Sequence, residues 1–238
     1  MMKHLNLYNL LYIDIETVSE KATFSEVDSE MQDYFAQKTS YQRKDEFTPE
    51  EFYDRAGIWA EFGKIVCISI AYMAKLNGEN QLRFRSFYGH NEEVLLEEFA
   101  DVLSNFPSFF FCGHNIKEFD IPFICRRMLI HNITLPGQLD LAGKKPWEIK
   151  HIDTLEQWKF GDYKHYTSLK LLAKLFGIPS PKDDIDGSEV GRVYWKEDNL
   201  KRIAIYCEKD VATTAQLLLK WKGKPLLDSD QIIYSDFE

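Results

Sequence analysis

The chemically loaded residues of this chain are acids in places where acids are costly. Asp14 and Glu16 lie in Leu10-Leu11-Tyr12-Ile13-Asp14-Ile15-Glu16-Thr17, a stretch otherwise composed like a buried strand. Side chains alternate faces along a strand, so the two carboxylates point the same way, about 6.6 Å apart along the chain. Ionised together on one face they repel and lose hydration, unless a cation or open water attends them. Paired hard oxygen ligands suit Mg²⁺ or Mn²⁺. For a bare Asp-x-Glu taken alone, a strand with a wet polar face is the better explanation.

Two further groups carry the same kind of chemistry. Gly113-His114-Asn115-Ile116-Lys117-Glu118-Phe119-Asp120 ends in an acid at the start of an expected helix, where a cap or dipole partner is the ordinary role. Tyr206 and Asp210 are four apart on a long C-terminal helix, which puts them on one face with Cβ atoms roughly 6 Å apart. Ile203, Ala204 and Leu217 share that face, so Asp210 is expected to look toward the core, where an unpaired acid is expensive. Glu208 and Lys209 are expected to face solvent. Singly, Asp210 would be an ordinary helix acid.

The elements that must position these groups alternate in kind. After the first strand, a charge-rich segment over residues 19–56 carries helical pieces at 29–38 and 50–55. It reads as an insertion or lid on the sheet edge. KIVCISIAYM (64–73) is a β-branched strand, Asn77-Gly78 a turn, and 81–88 a returning strand, giving a hairpin. Asn91 caps a helix over 92–103 whose buried stripe is Val94, Leu95, Phe99 and Leu103. Residues 109–112 form a buried strand, 121–131 a helix and 150–155 a short strand. Ser168 caps a helix over 169–176 that Gly177 closes. Residues 180–191 read as loop and 199–222 as the long final helix. Hairpin strands followed by strand–helix alternation predict one α/β domain around a mixed sheet, spanning residues 1–238.

Composition sets the outer bounds. A hydrophobic share of 45% with 28% charged residues is ordinary for a globular protein, and no eighteen-residue apolar run suggests a membrane span. The N-terminus lacks the pattern of a secretory signal. Cys67, Cys112, Cys125 and Cys207 are scattered through apolar segments, which fits reduced thiols and a cytoplasmic setting. Cys112 and His114 have no second ligand pair at zinc spacing. A net charge of −9 argues against a nucleic-acid binder, but its distribution weakens the objection. Residues 20–55 hold ten acids and five bases, whereas 117–182 hold eleven Lys/Arg against seven Asp/Glu with aromatics interleaved. Such a locally basic lane is compatible with phosphate contacts, and equally with a solvated surface.

In chain order these pieces are D-x-E on a first strand, N-x-x-x-F-D before a helix and Y-x-x-x-D on a last helix. This resembles the DEDD superfamily of 3′–5′ exonucleases in its tyrosine branch. More closely, it is similar to the predicted exonuclease-like family related to the proofreading domain of family B DNA polymerases. The resemblance extends to Gly63–Ser69, Ser168–Ala173 and Asp186-Gly187-Ser188-Glu189-Val190. Ile205 stands five before Asp210, so the histidine branch is disfavoured.

The resemblance implies a ribonuclease H-like fold, an α/β architecture with a mixed central sheet flanked by helices. It also implies two Mg²⁺ or Mn²⁺ ions, about 4 Å apart. Asp14, Glu16 and Asp210 would hold the first, and Asp14 with Asp120 the second. Tyr206 would orient the attacking water; at its free pKa of ~10 it is a poor base unaided. Asn115 would fix the loop or the terminal nucleotide, and Phe119 would pack under Asp120 or against a terminal base. Asp153 resembles an outer partner of the site. His151 and His165 are candidate phosphate neighbours, and Trp147, Trp158, Tyr163 and Tyr166 candidate stacking rings, although core roles suit most of these.

The expected activity is 3′–5′ hydrolysis of single-stranded nucleic acid with a free 3′ end, DNA favoured, releasing nucleoside monophosphates. With no polymerase region in the sequence, the chain is expected to act alone or through a replication or repair partner, away from membranes. The rivals are an RNA-trimming or short-oligonucleotide enzyme on the same fold and a non-catalytic nucleic-acid-binding adaptor. The full set of acids argues against the adaptor.

Overall fold

A computed structural model describes residues 5–44, 46–106, 108–162, 166–179 and 185–237. Tyr163, His165 and part of the loop expected over 180–191 lie outside the described residues. Three strands form an antiparallel meander: β1 (Leu10–Ser19), β2 (Gly63–Leu76) and β3 (Glu79–Tyr88). Asn77 and Gly78, both at positive φ (52° and 87°), make the tight turn between the last two, with the twist that two-residue hairpin loops require. β4 (Phe110–Gly113) pairs parallel with β1, β5 (Ile152–Asp153) parallel with β4, and β6 (Ile232–Ile233) parallel with β3. The resulting order is β5-β4-β1-β2-β3-β6, which leaves the acid-bearing strand in the middle of the sheet.

Period-2 alternation along β1 decides what each face does. Leu11, Ile13 and Ile15 point into a core shared with α3 (Glu92–Ser104) and α4 (Asp120–Ile130). Leu10 and Tyr12 point to the other face, where α8 (Leu200–Trp221) lays Val211, Ala212, Ala215 and Leu218 over them. Asp14 and Glu16 therefore face α8. Just past Glu16 the pairing slips: Glu16 opposes Cys67 and Thr17 opposes Ile65, so Val66 is an extra residue on β2. That bulge sends Val66 and Cys67 to the α8 face together, and re-aims the strand end beside the acids.

The expected helices are present with small shifts of their ends. Asn91, Ser168 and Asn199 each accept a backbone N–H in the first turn of α3, α6 (Leu169–Phe176) and α8, and Gly177 ends α6 at φ 64°. Val94 is a correction: it is 46% exposed, and Leu96 takes its place in the buried stripe beside Leu95, Phe99 and Leu103. The strand over 150–155 shrinks to Ile152–Asp153 because Asp153 caps a helix, α5 (Thr154–Lys159), at the next residue. α7 (Val190–Glu197) begins at the end of the expected loop, and neither it nor β6 is among the elements expected from the sequence. Glu208 is a second correction. It is buried, and accepts from the Ser86 hydroxyl (2.6 Å) and the Ser235 backbone N–H, tying α8 to the C-terminal segment.

The segment after β1 forms α1 (Ser29–Arg43), α2 (Pro49–Phe52) and a 3₁₀ turn (Tyr53–Ile58), closed around Phe35 by Phe52, Tyr53 and Phe62. It packs on the ends of β1 and β2 rather than on an edge strand: Thr17 donates to the Gly57 carbonyl and Glu20 N–H to Phe62. Opposite the α8 face, Glu92 and Arg127 form a buried ion pair, with Arg127 Nε 2.9 and 3.0 Å from the two carboxylate oxygens. Glu92 also accepts from the Ile65 N–H, and Arg127 donates to the Ala60 carbonyl. This network pins α4, and hence Asp120 at its start, against the sheet.

Candidate active site

β4 is shorter than β1. It pairs with β1 only through Leu10, Tyr12 and the residue between them, so the β1 edge beyond that point is open to the loop that follows β4. That loop turns sharply at Gly113, where a Cβ would lie 2.7 Å from the Ile13 carbonyl and collide with the Ile116 side chain. Asn115 follows at φ 68°, a left-handed conformation that asparagine tolerates. Asp120, 3% exposed, then accepts the Ile15 N–H on Oδ1 at 3.1 Å. The strand amide left open by the short neighbour thus fixes the third carboxylate beside the first two.

Asp153 holds this loop in place. Its Oδ1 accepts from Asn115 N–H and Leu155 N–H, both at 2.9 Å, and its Oδ2 from Lys117 N–H at 3.0 Å. It is buried and spends its oxygens on backbone, so it positions the loop instead of joining the acids. His114 is similarly occupied: Nε2 donates to the Thr167 carbonyl (2.9 Å) and Nδ1 accepts the Thr154 hydroxyl (2.8 Å). Burial lowers its pKa, in keeping with that neutral tautomer. Phe119, half-buried, rests on Phe123 and the α4 core.

α8 brings in the remaining groups. The Tyr206 hydroxyl hydrogen-bonds Asp210 one turn on, and both line a cleft of about 260 Å³ with Asp14, His114, Tyr166, Lys170 and Asp186. Between them on the helix, Cys207 donates its thiol to the Asp14 backbone carbonyl (3.4 Å) and to Oδ2 (3.5 Å). Ligand atoms of Asp14, Glu16 and Cys207 lie within 4.8 Å of one another. Lys170 sets its ammonium 5.4 Å from the centre of the Tyr206 ring. Elsewhere the basic lane is partly paired off, Lys117 with Glu156 and Lys159 with Glu118.

Like charge and burial dominate the electrostatics. Burial raises the pKa of Asp14 well above the carboxylate range, and the charges of Asp120 and Asp210 push it further. Glu16 is raised by burial, then by Asp14 and Asp210. Burial raises Asp120 to about 7, against the pull of backbone N–H groups. Burial and the neighbouring carboxylates also raise Tyr206, so its hydroxyl stays protonated at neutral pH. Cys207 is raised by burial, in keeping with its thiol donating to Asp14. Buried carboxylates that oppose one another's ionisation are relieved by a divalent cation, and hard oxygens suit Mg²⁺ or Mn²⁺. The residues fit such an ion.

The four acids and the tyrosine that the family resemblance grouped thus converge from β1, α4 and α8. The sequence reading passed over Cys207 as one more buried thiol, and Lys170 as one more helix lysine. Only the i, i+3 spacing of Cys207 and Asp210 hinted that the thiol belongs here. Trp147 and Trp158 line no part of the cleft, and His151 is structural. His151 accepts Phe111 N–H, donates to the Gln138 carbonyl and has its pKa lowered by burial to about 4.

Among solved structures, the family B DNA polymerase of the hyperthermophilic archaeon Pyrobaculum calidifontis matches 89% of this chain with a TM-score of 0.55 at 14% identity. The chain spans 24% of the polymerase's length. That likeness carries the fold: a ribonuclease H-like α/β sheet of the polymerase-exonuclease type. No curated protein matches the sequence. Among the described residues, no helix is long and apolar enough to cross a membrane. Residues 58–226, holding Asp120, Tyr206 and Asp210 but not Asp14 or Glu16, match a family of predicted 3′–5′ exonucleases related to the exonuclease domain of PolB, and the chain belongs to that family.

Proposed function

We propose that the chain is a metal-dependent 3′–5′ exonuclease acting on single-stranded nucleic acid, with DNA as the favoured substrate. The observation that carries this is the convergence of three separated elements, β1, α4 and α8, whose carboxylates oppose one another's ionisation beside one cleft. Asp14, Glu16, Asp120 and Asp210 would hold Mg²⁺ or Mn²⁺, with Asp14 shared between two ions. Divalent cations supply Lewis acidity there, acidifying water and offsetting charge on the phosphate.

The reaction is hydrolysis of the terminal phosphodiester. Water oxygen bonds to phosphorus, the bond to the 3′ oxygen breaks, that oxygen leaves with a proton, and a nucleoside 5′-monophosphate departs. Tyr206, protonated and hydrogen-bonded to Asp210, would orient the water through its hydroxyl oxygen and not remove a proton. Lys170 offers the cleft a cation for phosphate. Asn115 Oδ1 is a buried acceptor with no protein partner among the described residues, and Asn115 would fix the loop or the terminal nucleotide. Preference for DNA follows from the likeness to a DNA polymerase; Asp153 and Cys207 act through the groups they hold.

A 5′-labelled single strand incubated with Mg²⁺ or Mn²⁺ tests the polarity. Progressive shortening from the 3′ end is the expected result. Immediate release of a labelled mononucleotide would mean the opposite polarity, and an intact strand would remove the enzyme reading. DNA and RNA of equal sequence, run side by side, test the preference.

A further inference from the structure

A second concavity lies where α6 and α8 end, away from the acids. Trp158, Phe160, Phe176 and Trp221 line about 420 Å³ together with Gln157 and Lys220. Trp158 and Trp221 lie parallel (10°) with centroids 6.1 Å apart, and Phe176 meets both rings edge-on. Phe160 closes α5 at φ 45° and is 90% exposed. Three of these rings belong to a small packed cluster, whereas the fourth stands in water over the same pocket. A ring held so is a platform for another flat group.

The two helices that form the cleft lead directly to this pocket. α6 begins beside the cleft with Ser168 and Lys170 and ends at Phe176. α8 passes from Asp210 in the cleft to Trp221 in the pocket, about 16 Å at 1.5 Å per residue. Cations mark the path: Lys170 over Tyr206, Lys174 four residues on and therefore on the same helix face, and Lys220 in the pocket lining. Aromatic rings spaced along a run of lysines match the needs of single-stranded nucleic acid, whose bases stack while its phosphates pair. Leu171 and Leu175 are also exposed on α6 and would suit a protein partner, but they do not explain the lysines.

We propose that the pocket is a base-stacking subsite for the strand upstream of its 3′ end. This rests on the cleft being the 3′-end site. At the ~3.4 Å rise of a stacked strand, at most about five nucleotides cover the path, and fewer when the strand is stretched. Affinity should therefore rise steeply with length up to about that size and then level off.

The test uses the full chain in EDTA, with fluorescein-labelled oligothymidylates of three to ten nucleotides followed by anisotropy. The decamer should bind at least about tenfold tighter than the trimer, as one stacked base would give. Phe160→Ala with Lys220→Gln should remove that gain, leave trimer binding unchanged and abolish decamer-induced quenching of tryptophan fluorescence. Phe160 is exposed enough for the variant to keep its thermal midpoint, and Lys220→Gln alone serves if it does not. Length-independent binding, a double variant equal to the parent, or equal loss on trimer and decamer would each overturn the subsite; the first would favour a protein occupant. Length-dependent binding without cleavage in Mg²⁺ would instead sink the exonuclease reading and leave the subsite standing.

Discussion

Two clusters of buried charge sit on opposite faces of the same sheet, and they are built on opposite plans. On the α3–α4 face, Glu92 meets Arg127 through paired hydrogen bonds, with His131 2.8 Å from the same carboxylate. That cluster closes on itself. On the α8 face, Asp14, Glu16, Asp120 and Asp210 gather with one sign, and each neighbour makes the next harder to ionise. A structure gains nothing from such crowding, so the difference separates a charge cluster that holds the fold from one held by it. The first pins α4; the second is delivered by α4, β1 and α8 to a cleft.

Breaking the two clusters should therefore give opposite signatures. The largest effect expected is on catalysis: Asp14→Ala or Asp210→Ala should lower kcat/KM by about 10³-fold or more, since several kcal/mol of charge stabilisation depends on the ion site. Circular dichroism should report an intact fold in both, and Asp14, expected to serve both ions, should cost more than Glu16. Glu92→Ala should do the reverse. Leaving Arg127 with only the partly exposed Glu20 carboxylate, at 3.3 Å, should cost about 3 kcal/mol of unfolding free energy, while kcat per folded molecule stays within a few-fold.

The pH response sharpens the contrast. Asp120 binds its proton more tightly folded than unfolded, so between the ordinary carboxylate range and about 7 the folded state carries the extra proton. Metal-free stability should therefore fall as pH rises through that window, by up to about 4 kcal/mol from this group at ~1.4 kcal/mol per pKa unit. Denaturant titrations in EDTA from pH 4.5 to 8 measure it. Asp120→Asn keeps an acceptor for the Ile15 N–H, so it should flatten the curve and raise the thermal midpoint at pH 8 while eliminating cleavage. The smallest effect belongs to Tyr206→Phe: kcat down about 10–100-fold with KM nearly unchanged, an unchanged rate reducing Tyr206 to packing.

The acids were legible through their order along the chain and the family resemblance that order carries, because singly each had an ordinary explanation: a wet strand face for two, a helix start for one and a helix acid for the last. The family resemblance put them at one metal site, but the local sequence did not show how they get there, through a β4 too short to cover Ile15 and a bulge at Val66. Capped helices such as α6 could be read to the residue from Ser168 and Gly177. α7 could not, because Glu189 makes no side-chain cap bond and the preceding stretch is polar. Glu208 was misassigned to solvent because its partners, Ser86 and Ser235, are distant in sequence. Cys207 carried no signal beyond burial and its i, i+3 spacing to Asp210, and its bond to Asp14 joins residues 193 positions apart.

The central claim, that the one-sign cluster is a divalent-cation site, is tested most directly by Mn²⁺ titration of the metal-free protein at pH 7.5. Calorimetry should show saturable binding, and the thermal midpoint should rise with Mn²⁺ as expected for a ligand that binds only the folded state. Both responses should vanish in Asp14→Asn/Asp210→Asn and persist in Glu92→Gln. Absent binding in the parent, or binding unchanged in the cleft variant, would contradict the account.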